Sequence, residues 1–283
     1  MAKAVEIPVY LFTGFLEGGK TRFIRETLED KKFNAGEHTL LVLCEEGEEE
    51  YDLSHPLMKN VHILPIESEE ELTAEKLGEW QKIHRVDRVV IEYNGMWLLQ
   101  RLYEQMPQGW MIYQEVMLAD YNTFLSYNTN MRSLMVDKLT SCEMVLLNRA
   151  PVGADKMEIH KVIRGVSRRT DIGYDYLDGS FDYDEIEDPL PFDINAPVIE
   201  IGDNDFAVWY RDLTEEMEKY QGKTVRFKGR VVTKHRSLKN CFVCGRHVMT
   251  CCVEDITFMG LACTGYPPEK LENGGWYPVP ANL

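Results

Sequence analysis

The chain has 283 residues, 44% of them apolar, and a formal charge of −16. That length holds one large domain or two smaller ones with a real core. The acidic balance argues against general affinity for nucleic acid or anionic membrane. No apolar run reaches the roughly 20 residues that span a bilayer, so the chain is not expected to be membrane-embedded.

Glu6 to Thr13 reads as a buried strand and Arg22 to Asp30 as a helix with Phe23, Ile24 and Leu28 on one face. Because the first apolar segment is already a strand, no signal peptide is read and the cytoplasm is the expected location. Between strand and helix lies the run from Gly14 to Thr21 (GFLEGGKT), which fits the phosphate-loop pattern G-x-x-x-x-G-K-[ST] in full. Glycines let backbone N–H groups face phosphate oxygens, and the helix N-terminus adds roughly half a positive charge. Gly14, Glu17, Gly18, Gly19, Lys20, Thr21 and Arg22 are therefore the candidate nucleotide-binding positions. Lys20 can reach the β- and γ-phosphates, and Thr21 can ligate Mg²⁺. The bland alternative is a glycine-rich strand-to-helix turn with no ligand.

Thr39 to Cys44 is a second apolar strand, followed by the acidic run from Glu45 to Glu50. A charge run usually means a solvated loop, but this position suits a switch whose Glu45 meets Mg²⁺ when a triphosphate is present. Val61 to Pro65 is a short strand, Glu71 to His84 a helix, and Arg88 to Glu92 a buried strand. Glu92 ends that strand as a candidate Mg²⁺ partner, or else is merely solvated. Gly95 would let its N–H approach the γ-phosphate. A helix from about Met96 to Gln105, a strand from Glu115 to Ala119, a helix around Asn130 to Leu139 and a strand from Glu143 to Asn148 follow. A further helix runs from about Asp155 to Arg168. Asn148 and Arg149 fall where a GTPase places its guanine-reading Asn-Lys-x-Asp segment. Continuous apolar strands alternating with helices predict an α/β, three-layer P-loop NTPase domain with a mostly parallel sheet.

Pro189, Pro191 and Pro197 interrupt this pattern. Residues 175–193 are strongly acidic, whereas residues 221–250 carry eight Lys/Arg and no Asp or Glu. That change of sign suggests two domains joined by a linker, taken as residues 1–192 and 193–283. Phe206 to Tyr220 reads as one amphipathic helix. Lys223 to Val232, Cys241 to Cys252 and Ile256 to Cys263 read as strands of a small antiparallel, open-barrel-like β domain. The chain ends soon after Trp276 and Tyr277, where another strand is expected, which would mean an incomplete barrel or a truncated chain. Phe227 and Phe242 alone interleave the basic stretch, too few aromatics for a nucleic-acid stacking platform, so nucleic acid is not an expected partner.

Five of the seven cysteines lie between Cys241 and Cys263. In a cytosolic protein this suggests metal ligands or reduced core thiols before disulfides. Cys241, Cys244 and Cys252 are the candidate zinc ligands. They converge only if a tight turn falls near Gly245, since residues three apart in a strand face opposite ways. Buried thiols are the alternative. Cys142 reads as core, and His84, His160 and His235 as surface residues.

The segments TGFLEGGKTRFIRETLED, LVLCEEGEEEYD, DRVVIEYNGMW, LADYNTF and CEMVLLNRA together resemble the CobW family of metal-handling P-loop GTPases, over residues 5 to about 175. The resemblance implies that Lys20 and Thr21 bind phosphate and Mg²⁺ and that Glu45 and Glu92 serve the metal. Two departures matter. Residues 53–87 contain no cysteine, so the family's Cys-x-Cys-Cys metal motif is absent from its usual place. Arg149 and Pro151 stand where the guanine motif has Lys and Asp, which opens ATP as well as GTP as substrate. The C-terminal pattern of Gly222, Lys223, Val225, Gly229, Val231, Arg246, Met249, Cys251, Cys252 and Asp255 resembles a β domain of a YcgQ-like bacterial membrane-protein family. That family accompanies permeases and is tied to zinc supply.

The expected function is a Mg²⁺-dependent nucleotide hydrolase, GTP first, coupled to zinc or cobalt homeostasis as a metallochaperone, with a metal-dependent client or a membrane permease as partner. Turnover is expected to be slow, because no arginine finger or water-positioning Gln can be assigned. The alternative is a nucleotide-binding regulatory module that barely hydrolyses and docks a partner through its C-terminal domain.

Overall fold

The structure, a computed structural model, describes residues 6–47, 49–233, 241–249 and 256–283. The chain divides into two compact units, Met1–Ile186 and Glu187–Leu283.

The first unit contains β1 (Ile7–Thr13), α1 (Lys20–Leu28), β2 (Thr39–Leu43), β3 (Val61–Pro65), α2 (Ala74–His84), β4 (Arg88–Glu92) and α3 (Leu99–Gln105). It continues through β5 (Trp110–Asp120), α4 (Tyr121–Asn130), α5 (Arg132–Ser141), β6 (Met144–Ala150), α6 (Met157–Arg164), β7 (Asp171–Tyr176) and β8 (Phe181–Tyr183). The strands form one sheet of order β3-β2-β4-β1-β5-β6-β7-β8. Every neighbouring pair is parallel except the terminal β7–β8 hairpin.

The strands are apolar on both faces because both faces are covered. On one face Val9, Leu11, Leu40 and Ile91 pack against Leu77 of α2 and Leu99 and Leu102 of α3. That layer continues through α4, α5 and α6, whose Phe124, Met135, Leu139, Ile159 and Ile163 cover Met117, Val145, Leu147 and Ile172. On the opposite face Ile24 and Leu28 of α1 cover Phe12, Leu41, Val90 and Val116. This is the three-layer α/β arrangement, with α1 on its own side of the sheet.

Several elements differ from the sequence reading. β5 begins at Trp110 rather than Glu115, because Trp110 is buried and donates to Gln81 at 2.8 Å while exposed Met111 and Tyr113 hide the strand pattern. α4 has one buried residue, Phe124, so its polar sequence gave no periodic signal; Asp120 caps it by accepting from the Asn122 backbone N–H at 2.7 Å. The acidic stretch 175–193 begins inside the sheet, at the end of β7 and in β8. His160 is a correction. It is buried, and its Nδ1 lies 2.9 Å from the buried Asp184 carboxylate, a partner that its own helix could not reveal.

The second unit comprises β9 (Val198–Glu200), α7 (Phe206–Glu215), β10 (Thr224–Val232), β11 (Phe242–Met249), β12 (Ile256–Cys263) and β13 (Trp276–Asn282). The sheet runs β12-β11-β10-β13, with β9 beside β10. Its pairs are antiparallel except β9–β10, which is parallel, so the sheet is mixed rather than purely antiparallel. β13 pairs with β10 from Thr224↔Asn282 to Arg230↔Trp276, so the segment after Trp276 supplies a strand. The helix read as Phe206 to Tyr220 ends at Glu215, and a 3-10 turn (Met217–Tyr220) follows; the Tyr220 hydroxyl donates to Asp212 at 2.6 Å. Trp209, Phe206, Leu213 and Tyr220 form the core with Val225, Phe227, Phe242 and Cys244.

Candidate functional site

β1 delivers the chain to Gly14 at the C-terminal edge of the parallel sheet, where α/β folds bind ligands. Three residues of the loop, Gly14, Glu17 and Gly19, have positive φ, and Gly19 caps α1. The turn is tight because the loop rides on neighbouring backbone. A side chain at Gly18 would come within 2.7 Å of the Leu118 carbonyl oxygen. A Cβ at Gly95 would come within 2.6 Å of the Gly14 carbonyl oxygen. Gly95 therefore packs the end of β4 against the phosphate loop.

The Lys20 side chain is 3% exposed. Its ammonium donates to the carbonyls of Gly14 (2.9 Å) and Phe15 (3.0 Å) and to the Glu45 carboxylate at 2.5 Å. Thr21 donates its hydroxyl to Glu92 at 2.7 Å, and Tyr51 donates to the other Glu92 oxygen at 2.5 Å. Glu92 is 2% exposed, and burial pushes its carboxyl above the usual range, opposed by the bonds from Tyr51 and Thr21. Burial also raises the Tyr51 phenol. Thus Lys20 and Thr21 meet Glu45 and Glu92, remote from them in sequence, in one cleft. Glu17, Gly19, Arg22, Glu49 and Arg149 are among the residues that line it with them. Tyr51 carried no signal in the sequence, since nothing local tells a tyrosine in an acidic loop that Glu92 is its partner.

On the other side of the loop, Asn148 donates to the Gly18 carbonyl at 2.6 Å. Arg149, at φ 57°, donates to the Glu17 carbonyl and pairs with Asp120 at 2.6 Å. Both residues hold the phosphate loop by its backbone. Arg22 pairs with Glu26 (3.0 Å) and reaches Asp175 (3.3 Å). Asp120 and Asp175, also on this side, were missed because their partners, Arg149 on β6 and Arg22 on α1, are remote in sequence.

A phosphate group fits this donor set. The buried ammonium, the first-turn amides that lack intrahelical acceptors, and the absence of any Cβ at positions 14, 18 and 19 leave a concavity whose donors face one point. A divalent cation fits the Thr21 hydroxyl and Glu92 carboxylate beside it.

The zinc candidates divide. Cys244 is fully buried in the core of the second unit, and burial pushes its thiol up to about 12, which suits a protonated core thiol. Cys241 is half-buried just before β11. Cys252, with Cys251, Asp255 and His235, lies outside the described residues. Among the described residues, no group of three or more His, Cys, Asp or Glu is placed to hold a metal ion. Among them too, no helix is long and apolar enough to cross a membrane.

Strand, glycine loop and helix, with a lysine and a hydroxyl at the first helical turn, define an α/β fold with a phosphate-loop motif in the first unit. The family described as DUF1980 C-terminal domain matches residues 181–283. The chain is similar to the hydrogenase maturation factor HypB from Archaeoglobus fulgidus, at 14% identity and a TM-score of 0.42, covering 61% of this chain and 82% of that one. A curated protein, the pre-mRNA-splicing factor SYF1 of Debaryomyces hansenii, is 30% identical over 95 residues, 31% of this chain. The chain spans 11% of the length of that protein.

Proposed function

We propose that this protein is a Mg²⁺-dependent P-loop nucleotide hydrolase, a GTPase of the CobW type, coupled to zinc or cobalt homeostasis or to a membrane transport partner. The catalytic work is assigned to the N-terminal domain, residues 1–192 as read from the sequence, and partner contact to residues 193–283. The observation that carries this reading is the convergence of the Lys20 ammonium with Thr21 and Glu92 at the N-terminus of α1. Lys20 and the loop amides would stabilise charge on the transferring phosphoryl group. Thr21 would ligate the cation and Glu92 would hold its water, while bound Mg²⁺ supplies charge neutralisation between the phosphates. Glu45 sits on the Lys20 ammonium at 2.5 Å, the place that suits a phosphate oxygen. Phosphate entry must therefore displace its carboxylate, which makes the loop after β2 the element that responds to nucleotide.

The same ion pair favours a second reading, a regulatory module that binds nucleotide and barely hydrolyses it. A lysine already neutralised by an internal carboxylate gives up part of its attraction for phosphate. Titration of the full chain with GTP and with ATP, each with Mg²⁺, together with phosphate release, separates the readings. Saturable binding with slow turnover that Lys20→Ala abolishes supports the hydrolase. Binding with no turnover above a nucleotide-only blank supports the module. Absence of binding by either nucleotide rejects both.

A further inference from the structure

We propose that Asp175, one strand away from the usual guanine-reading position, is the residue that selects guanine in this site. The inference rests on the nucleotide-binding reading above.

The nucleotide cleft opens sideways into a second cleft, and the two share Gly19, Arg22, Glu49 and Arg149. Asn148 and Asp175 line only the second. It lies on the β6–β7 side of the loop, away from Glu92, so a nucleotide with its phosphates at Lys20 would place its base there. A break in strand register shapes it. Leu147 pairs with Tyr174 and Ala150 with Tyr176, so Asn148 and Arg149 on β6 together oppose Asp175 on β7. Such bulges re-aim side chains beside active sites. Here the bulge turns Asn148 and Arg149 onto the phosphate loop and leaves Pro151, which has no side-chain acceptor, beyond the strand.

The acceptor missing from position 151 is therefore supplied next door. Tyr174 packs in the helical layer, so the alternation of β7 turns Asp175 to the opposite face, toward Arg22 of α1. Of the carboxylates lining this cleft, Glu26 and Glu49 have side chains 58% and 47% exposed, and Asp175 is the most enclosed at 26%. Its contact with Arg22 is 3.3 Å long and partly solvated, a weak tie that a ligand can replace. A carboxylate offers two acceptor oxygens, and guanine alone of the common purines offers the matching donors, N1–H and the 2-amino group, side by side. Adenine has no donor pair there.

The test is a titration of the full chain with GDP, ADP and xanthosine diphosphate, each with Mg²⁺. The parent should prefer GDP to ADP. Asp175→Asn should weaken GDP roughly ten- to hundredfold, the value of hydrogen bonds to a charged acceptor. The same variant should bind xanthosine diphosphate more tightly than the parent does, because xanthine has a carbonyl where guanine has the amino group and an amide can donate to it. ADP affinity should stay within about twofold, which also shows that the variant is folded. Asp175→Ala should lose GDP without gaining xanthosine diphosphate. A parent that prefers GDP and keeps that preference in both variants overturns the inference while leaving the nucleotide site intact. Equal binding of GDP and ADP by the parent does the same, as does equal weakening of all three ligands in Asp175→Asn. A parent that binds none of them removes the nucleotide-binding reading as well.

Discussion

Glu92 shows how one buried carboxyl links the site to stability. It closes β4, is held by Thr21 and Tyr51, and burial raises its pKa. A carboxyl whose pKa is higher folded than unfolded favours the fold below the ordinary glutamate range of about 4.3, and that contribution disappears as pH rises through the raised value. Above that raised value the nucleotide-free protein carries a buried charge that the bonds from Thr21 and Tyr51 only partly offset. Glu92→Gln is expected to stabilise the nucleotide-free chain, with a gain over the parent that grows from about pH 5 to about pH 8. The same variant should lose Mg²⁺-dependent nucleotide affinity. Urea midpoints at the two pH values measure the gain, and a gain independent of pH would mean that Glu92 is not the group responsible.

At the scale of elements, the phosphate loop is built by three strand ends rather than by its own sequence. β5 presents the Leu118 carbonyl beneath Gly18, β6 presents Asn148 to the Gly18 carbonyl, and the turn after β4 presses Gly95 against Gly14 and Phe15. The last contact leaves no room for a methyl group, whose carbon would lie 2.7 Å from the Phe15 Cα. Gly95→Ala must push two backbone segments apart, at a cost of about 1–3 kcal/mol. The displaced loop should also bind nucleotide more weakly, because the lysine and the amides no longer converge. Chemical denaturation and nucleotide titration of the purified variant measure both effects. Parental stability together with parental affinity would show that the loop does not depend on this contact.

At the scale of the whole molecule, the two units have separate cores, one around the eight-stranded sheet and one around Trp209. Ligand binding and core damage should therefore be felt in different places. Nucleotide with Mg²⁺ at about 100 times its dissociation constant should stabilise the first unit by about 2.7 kcal/mol. Trp209→Ala should cost the second unit about 3–5 kcal/mol, as the loss of a fully buried aromatic does. Hydrogen exchange followed by peptide mass spectrometry reads the units independently. Protection gained on nucleotide within residues 6–47 and 88–95, with none in 198–232, is the expected pattern. A reversed or uniform pattern would contradict the assignment of the nucleotide site to the first unit.

What could be read from residues in order was local. The strand–loop–helix at Gly14 to Thr21 announces itself because glycine spacing, the lysine and the hydroxyl must be contiguous to wrap one phosphate. Apolar runs such as Thr39 to Leu43 and Arg88 to Glu92 announce buried parallel strands, because both faces of such a strand are covered. The polar helix α4, the short strands β8 and β9 and the burial of His160 stayed hidden, since each is stabilised by partners remote in the chain. The same holds within the site. Glu45 and Glu92 could be named as strand-end carboxylates, but only folding put one on Lys20 and the other on Thr21 and Tyr51. Asn148 and Arg149 were read as contacts to the base, and the bulge in β6 instead turns them onto the loop and sets Asp175 beside the cleft. The chemistry of a group is written in its own side chain, whereas its role depends on what the sheet places within hydrogen-bonding distance of it.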